Sequence, residues 1–439
     1  MKEIVVGRSP SDLKKLGLKG CVKIGKMYIR MGENLSLSNP VYVDLSTSHV
    51  ILIVGKRGSG KSYTMGVVAE GFALLEPEIR KNIAIVMIDT MGVYWTMKYP
   101  NKQQEDELES FGLKPQAVDC ITYVPYAYFD RYKNEGIPVD QRLILPASEI
   151  SPEEWASAFR ISPFSREGVI ISKTVLTLRE KIQEYTLDDM ISFVMKDEEA
   201  DSITKMSVVN LFKMAKGWGL FGKPSTKIVE LFNAGKVSVI DISPYATMPG
   251  GWPIKALVTG LIAQHAFKER MKFRKDEEFQ ELSSVNSFFT FEKKEKKNIP
   301  LIWLVIDEAH EFLPVDEKDA NAATEPLKII LREGRQPGVS LILATQQPGK
   351  IHTDAITQAD IVIAHRVTSK IDIDALQLLA QSWMKESITA SMNQLPSAKG
   401  SAVLFDDTNE RLFSIRIRPR ISWHGGGSPS AIPSISSQQ

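Results

Sequence analysis

The segment that most restricts the fold of this chain is a glycine-rich octapeptide, GKRGSGKS, at residues 55–62. It matches the pattern G-x-x-x-x-G-K-[ST], with the apolar segment HVILIV before it and the helix-compatible segment SYTMGVVAEGF after it. Glycines let the backbone wrap around phosphate oxygens without Cβ clashes, and successive N–H groups then point inward at a helix N-terminus. The segment therefore predicts a strand, a phosphate-binding loop (P-loop) and a helix, in that order.

This P-loop predicts a site for ATP and Mg²⁺. We expect Lys61 to neutralise the β and γ phosphates, and the Ser62 hydroxyl to ligate Mg²⁺. The residues expected to contact the nucleotide are consecutive along the chain: Gly55, Lys56, Arg57, Gly58, Ser59, Gly60, Lys61, Ser62 and Tyr63.

A second apolar run, Leu301–Ile306, ends in two acids, Asp307 and Glu308. Beside a P-loop, the first carboxylate is expected to hold Mg²⁺ through water, and Glu308 is expected to be the general base that polarises the attacking water. The alternative for two such acids is a helix-capping surface charge. The letters DEAH at residues 307–310 also occur in DEAH-box helicases, but only 129 residues follow His310. That length leaves scarcely room for a second motor domain, so we treat this likeness as coincidental.

Polar residues on either side of a later predicted strand, residues 339–345, complete the candidate site. Gln346 follows this strand and is expected to sense the γ-phosphate, the alternative being a plain turn. Arg332 and Arg335 precede the strand, and each is a candidate to stabilise charge on the transferred phosphoryl group. The alternative for both arginines is ordinary surface solvation.

Apolar runs of strand length alternate with segments of helical pattern, which predicts an α/β domain with a mostly parallel sheet. The runs are residues 50–54, 83–88, 237–242, 301–306, 339–344 and 361–364. The long gap between the second and third runs contains a stretch rich in helix formers, residues 151–216, which predicts an inserted helical subdomain. Ser151 is its expected N-cap, with Pro152 at the first helical position.

These patterns divide the chain into five expected parts. They are a short N-terminal segment (1–45), the first part of the α/β core (46–145), the helical insertion (146–232), the second part of the core (233–424) and a flexible tail rich in Gly, Ser and Pro (425–439). The basic run FEKKEKK at 291–297 is expected to be either a solvated surface loop or a contact for a partner or DNA.

Composition restricts the kinds of binding partner and the cellular compartment that we expect for this chain. Lys and Arg number 54 against 53 Asp and Glu, a net charge of +1, so any polyanion must be held by local patches. Two cysteines, Cys21 and Cys120, are too few for a disulfide framework or a zinc site, which favours a reducing cytoplasm. The apolar runs fall far short of the roughly 20 residues that cross a bilayer, so we expect no membrane segment.

The segment REGRQPGVSLILATQQPGKI at 332–351 resembles the HerA/FtsK superfamily of hexameric DNA-pumping ATPases, and the HerA branch fits best. Residues 88–94, 235–243, 358–360 and 365–372 support the resemblance, which spans about residues 44–420. It implies a RecA-like (ASCE) P-loop core with a helical insertion, a homohexameric ring, and translocation of double-stranded DNA through the pore. It further implies that Arg332 or Arg335 acts across a subunit boundary.

Two features depart from the HerA pattern. Archaeal HerA proteins carry an N-terminal β-barrel that helps dock a nuclease, whereas the segment before the P-loop strand here is too short for a full barrel. A nuclease or other effector partner is therefore left open. The turn after Asp89 reads Gly-Val-Tyr, without the expected central acid.

The leading prediction is an ATP-dependent hexameric motor that translocates double-stranded DNA, in DNA processing, repair or defence. The alternatives are an ATPase that moves or remodels protein, as conjugation-type secretion ATPases do, and a regulatory ATPase subunit of a defence complex. Candidate DNA contacts are Lys98, Lys102 and the loop at 245–252, with surface solvation as the alternative for both lysines.

Overall fold

The computed structural model describes residues 3–31, 34–285, 299–377 and 388–427. The basic run at 291–297 and residues 428–439 of the expected tail lie outside them. The strands in these ranges are β1 Ile4–Val6, β2 Cys21–Met31, β3 Asn34–Asp44, β4 Val50–Val54, β5 Ile83–Asp89, β6 Cys120–Pro125, β7 Gln141–Leu143, β8 Val237–Asp241, β9 Leu301–Ile306, β10 Val339–Thr345, β11 Ile361–His365, β12 Ser401–Asp406 and β13 Arg411–Ile417.

Helices fill most of the connections between these strands. Within the described ranges they are α1 Pro10–Leu16, α2 Lys61–Ala73, α3 Pro77–Arg80, α4 Glu105–Ser110, α5 Tyr126–Asn134, α6 Pro152–Phe159, α7 Arg166–Lys181, α8 Leu187–Lys196, α9 Ser202–Lys216, α10 Trp252–Val285, α11 Thr324–Glu333, α12 Thr353–Thr357, α13 Lys370–Leu376 and α14 Ile388–Asn393. No helix among the described residues combines the length and apolar content needed to cross a bilayer.

The strands form one sheet in the order β1-β3-β2-β13-β12-β11-β4-β10-β9-β5-β8-β6-β7. Neighbours from β11 to β7 are all parallel, and these include the six strands that the apolar runs predict. Their continuous apolar sequences follow from burial on both faces, since the inner residues of β5, β9 and β10 are almost fully buried. The predicted α/β fold with a mostly parallel sheet is confirmed.

An antiparallel extension continues the sheet beyond β11. Strand β12 pairs with β11 and β13, and β13 pairs in turn with β2 of the hairpin β2–β3. The apolar-run prediction missed these strands. Strand β13 is partly exposed and carries Arg411, Ser414 and Arg416 between its apolar residues, so it lacks a continuous apolar run. Strand β12 is buried along its whole length, and its apolar run is short, residues 402–405.

Helices α6–α9 lie in the gap where the sequence predicts a helical insertion. Helix α6 begins at the predicted N-cap, where Ser151 Oγ accepts from Glu154 N at 3.2 Å and Glu154 Oε2 accepts from Ser151 N at 2.7 Å. The buried rings of Trp155 and Phe212 stand edge to face, 5.7 Å apart. They belong to a hydrophobic cluster that also includes residues from one face of the sheet. The insertion therefore shares a core with the α/β domain.

Helix α10 is tied to the sheet by a buried charge. Arg270 is 2% exposed, and its guanidinium donates to Pro337 O at 2.6 Å and to Ile299 O at 2.5 Å. The carbonyl of Pro337 lies in the turn before β10. The middle of this long helix is therefore anchored at the amino-terminal edge of the sheet.

Candidate active site

The P-loop lies between β4 and α2, at the carboxyl end of a strand flanked by β10 and β11. Gly60 has φ 109°, a conformation that L side chains rarely adopt. Gly55 is required for a different reason, because a Cβ there would lie 2.3 Å from Ser59 Oγ and 2.7 Å from His365 Cβ. The predicted strand, loop and helix are thus present, and the first N–H groups of α2 open toward the loop.

Lys61 begins α2 and is only 6% exposed. Its Nζ donates to Lys56 O at 3.4 Å, a long contact that leaves the ammonium loosely held inside the loop. Burial lowers the pKa of Lys61, whereas the charges of Glu308 and Asp307 raise it. A cation is therefore kept beside two carboxylates where phosphate charge would enter.

Ser62 and Asp307 meet directly, as the sequence predicts for two ligands of one cation. Ser62 Oγ donates to Asp307 Oδ2 at 2.5 Å, although 245 residues separate them in the chain. Asp307 follows β9, which is separated from the P-loop strand by β10 alone. Parallel packing of the three strands thus brings both oxygens to the same edge of the sheet.

Glu308 adopts a left-handed backbone conformation, φ 50° and ψ 43°, directly after Asp307. Its Oε1 accepts from Gln346 Nε2 at 3.1 Å, and its buried Oε2 has no hydrogen-bond partner among the described residues. Burial raises the pKa of Glu308 to about 7, with a further contribution from Asp307, while Lys61 lowers it. Such a carboxyl group can exchange a proton near neutral pH.

Gln346 follows β10, which pairs with the P-loop strand β4, so its predicted place beside the P-loop strand is the observed one. The next residue, Gln347, contacts the histidine of the DEAH letters, His310. Its Nδ1 is 3.1 Å from Thr345 Oγ1, and its Nε2 is 3.4 Å from Gln347 Nε2. The DEAH letters were the sequence signal for His310, but its hydrogen-bond neighbours Thr345 and Gln347 come from another strand, which the sequence did not predict.

A pair of buried acids adjoins the site at the tips of β5 and β8. Asp89 and Asp241 are register partners, and each is 1% exposed. Asp89 accepts from the N–H groups of Met91, Gly92 and Tyr94, so the turn after β5 folds around its carboxylate. Burial and the adjacent Asp241 raise the pKa of Asp89 to about 7. Burial raises the pKa of Asp241 as well, and its Oδ2 has no partner among the described residues.

The same turn reaches the P-loop helix through Tyr94. Its Oη donates to Ser62 O at 3.2 Å, and the ring is 1% exposed. The Gly-x-Tyr segment therefore couples the tip of β5 to the start of α2, a role that needs the tyrosine hydroxyl and not the missing central acid.

The C-terminal segment Arg418–His424 packs against α2 and is held by Glu70. Glu70 is fully buried, and its two oxygens accept from Arg418 Nη1, Arg420 Nε, Ser422 N, Ser422 Oγ and Ile421 N. Arg420 N also donates to Tyr63 Oη at 2.6 Å. Tyr63, predicted as a nucleotide contact, thus links α2 to this segment.

The two candidate arginines lie away from their own P-loop. Arg332 is in the last turn of α11, where its Nε donates to Asp354 Oδ2 at 2.6 Å and its side chain is 54% exposed. Arg335 is exposed in the turn before β10. That turn is at the amino-terminal end of a strand whose carboxyl end faces the nucleotide loop. Neither arginine joins the cluster of Lys61, Asp307 and Glu308, so an arginine finger from this pair would have to act on a neighbouring subunit.

Lys98 is not a free cation. Its Nζ donates to Pro138 O at 2.8 Å and to Asp140 Oδ2 at 2.5 Å. Lys102 is exposed, and so are Ala246, Thr247, Pro249 and Gly250 of the loop at 245–252. These two elements are therefore the better candidates for a contact at this edge of the sheet.

The P-loop, the strand-end acids and the polar tip of the neighbouring strand define a P-loop ATPase with an α/β core. A family model described as "Helicase HerA, central domain" matches residues 22–337. The chain therefore belongs to the HerA family and is an ATP hydrolase. The family model confirms the resemblance to HerA that the sequence predicts.

Named relatives agree with this assignment. The "DNA double-strand break repair helicase HerA" of Pyrococcus furiosus is 26% identical over 418 residues, covering 87% of this chain and 67% of the relative. The "Probable DNA double-strand break repair helicase HerA" of Methanocaldococcus jannaschii is 24% identical over 385 residues, covering 80% and 68%. The structure of VirB4 of Thermoanaerobacter pseudethanolicus is similar in fold, with a TM-score of 0.54 at 14% identity over 91% of this chain and 96% of that one.

Proposed function

We propose that this protein is a homohexameric motor that uses ATP hydrolysis to translocate double-stranded DNA in the cytoplasm. The observation that carries the proposal is the meeting of Lys61, Ser62, Asp307, Glu308 and Gln346 at one edge of the sheet, in a chain of the HerA family. Its relatives are named as DNA double-strand break repair helicases.

In the proposed reaction, each group has a role that its position supports. The P-loop residues 55–63 bind ATP, and Lys61 neutralises phosphate charge. Glu308 takes the proton of the attacking water, because its raised pKa and partnerless Oε2 among the described residues suit a general base at neutral pH. Gln346 links this base to the tip of β10 and reports the γ-phosphate.

The metal site fits Mg²⁺. Ser62 Oγ and Asp307 Oδ2 are hard oxygen donors 2.5 Å apart, and Mg²⁺ prefers few protein oxygens together with phosphate and water. Ser62 would hold the ion directly and Asp307 through water. When bound, the ion neutralises charge on the phosphates.

Arginine fingers would complete the site between subunits. Arg332 and Arg335 lie at the edge of the sheet opposite their own P-loop, which supports a role in trans. To test this role, an Arg332→Ala, Arg335→Ala double-variant subunit is mixed with a Lys61→Ala subunit. Restored ATPase activity in verified mixed rings supports the trans role. If no mixing ratio of the two subunits restores ATPase activity, the trans role is refuted.

The decisive experiment measures ATPase rate with random-sequence duplex DNA across a salt series, on protein whose assembly is determined by light scattering. DNA should stimulate the rate, and binding should weaken by about three orders of magnitude from low to moderate salt if roughly six phosphates are contacted. Base sequence should not matter, because backbone contacts carry no sequence information. A hexamer whose rate ignores DNA at every salt concentration would refute DNA translocation and favour an ATPase that moves or remodels protein.

A further inference from the structure

His310 lies where it can control the geometry of Glu308. After the left-handed turn at Glu308, one turn of 3₁₀ helix, Ala309–Glu311, directs the imidazole toward the tip of β10. The ring is 11% exposed, and its Nδ1 lies 3.6 Å from Glu308 Oε2 and 3.1 Å from Thr345 Oγ1. Among the described residues, no other nitrogen lies within hydrogen-bond or ion-pair distance of that carboxylate oxygen.

The hydrogen-bond pattern indicates which ring nitrogen carries the proton. The side-chain amide of Gln347 has its Nε2 3.4 Å from His310 Nε2, and an amide nitrogen can only donate, so the ring Nε2 accepts. In a neutral imidazole the proton is then on Nδ1, facing Thr345 Oγ1 and Glu308 Oε2. Burial and the charges of Lys350 and Lys61 lower the pKa of His310 to about 4, in agreement with a neutral ring.

One N–H group therefore faces each oxygen of the Glu308 carboxylate, within hydrogen-bond distance at Oε1 and 3.6 Å away at Oε2. Gln346 Nε2 donates to Oε1 at 3.1 Å, and His310 Nδ1 faces Oε2 at a longer distance. The neighbouring Gln347 holds the far side of the imidazole, so two consecutive glutamines at the tip of β10 support the base from opposite sides. Thr345 fixes this tip, since its Oγ1 also accepts from Gln347 N at 3.0 Å.

We propose that His310 is a positioning residue for ATP hydrolysis: its Nδ1–H, oriented by Gln347 and Thr345, fixes the rotamer of Glu308 so that the carboxylate faces the attacking water. This inference rests on the proposed role of Glu308 as the base. Because catalysis is sensitive to small misplacements, loss of this contact should lower kcat by roughly 10- to 100-fold. Nucleotide affinity should change little, since His310 is not part of the phosphate-binding loop.

Two amide substitutions separate positioning from packing. The amide nitrogen of Asn reaches the place of Nδ1, whereas that of Gln reaches the place of Nε2. His310→Asn should therefore keep kcat within about threefold of the wild type, while His310→Gln and His310→Ala should lose it within the range given above. His265→Ala is the matched control, because this histidine is also partly buried and contacts a carboxylate, Glu149, but lies on α10.

Each variant is assayed for kcat, KM, affinity for a fluorescent ATP analogue and unfolding midpoint. The proposal is overturned if His310→Ala keeps the wild-type kcat, or if His310→Asn is as defective as His310→Gln at an unchanged unfolding midpoint. A change in KM with kcat unaltered overturns it as well. Glu308→Gln distinguishes the two proposals. If that variant keeps full turnover, the proposed base itself is wrong, whereas loss of turnover in Glu308→Gln together with a fully active His310→Ala refutes the positioning role alone.

Discussion

Replacing Glu70 with Gln tests whether the C-terminal segment is held by a buried charge. The carboxylate is fully buried and accepts five hydrogen bonds, two of them from the buried guanidiniums of Arg418 and Arg420. Both arginines and Ser422 lower the pKa of Glu70, against the opposing effect of burial. The wild-type residue is therefore ionised at neutral pH.

The expected loss of stability in Glu70→Gln follows from the groups that the introduced amide leaves without an acceptor. If the single oxygen of the introduced amide takes the place of Oε1, Arg418 Nη1 and Ile421 N face an NH₂ group and lose their acceptor. Two buried guanidiniums also lose their counter-charge. Removing one partner of a buried ion pair costs about 3–5 kcal/mol, so Glu70→Gln should lower the free energy of unfolding by about that amount.

Urea unfolding followed by tryptophan fluorescence measures the effect. The matched control is Glu78→Gln, because Glu78 pairs with Lys81 on the surface with its side chain 81% exposed. That change should cost less than about 0.5 kcal/mol. A Glu70→Gln protein within about 1 kcal/mol of the wild type, at an unchanged urea slope, would refute the reasoning.

Three further predictions concern the active site. Lys61→Ala should abolish ATP binding, whereas Glu308→Gln should bind ATP and lose turnover. Separate measurements of nucleotide affinity and ATPase rate check both variants, and near-normal turnover of Glu308→Gln would show that Glu308 is not the general base. Because the folded-state pKa of Asp89 is raised to about 7, the unfolded chain loses this proton first, and the free energy of unfolding should fall as pH rises from about 4 to 7. Asp241→Asn should flatten that fall, and parallel curves for both proteins would contradict it. Tyr94→Phe should weaken nucleotide binding several-fold by releasing Ser62 O, which titration against Tyr99→Phe as the control can check.

The sequence predicted the P-loop and six strands of the parallel part of the sheet, in which burial is nearly continuous. The P-loop and the six apolar strands follow from local patterns, because a strand covered on both faces must be apolar throughout. The acids at 307–308 could be read as a site because they end one such strand. Strand β13 could not be predicted in this way, since its pairing Ile415↔Met27 joins distant parts of the chain and its outer face is polar.

The positions and partners of several charged residues also could not be predicted from the sequence. Arg270, Arg418 and Arg420 are almost fully buried, against the usual exposure of arginine, and only the fold brings each to its acceptors. Lys98 looked like a free surface cation, but Asp140 lies 42 residues away in sequence and pairs with it. The hydrogen-bond neighbours of His310 could not be predicted from the sequence, because Thr345 and Gln347 belong to β10 and its tip.

The contact between Glu70 and the Arg418–His424 segment also bears on synthesis of the chain. The helix that follows the P-loop is made long before its partner, because Glu70 precedes Arg418 by 348 residues. The hairpin β2–β3 waits longer still for β13. A nascent chain therefore carries the P-loop and its helix well before Glu70 gains these partners, and the contacts form only after residues 418–424 have been synthesised.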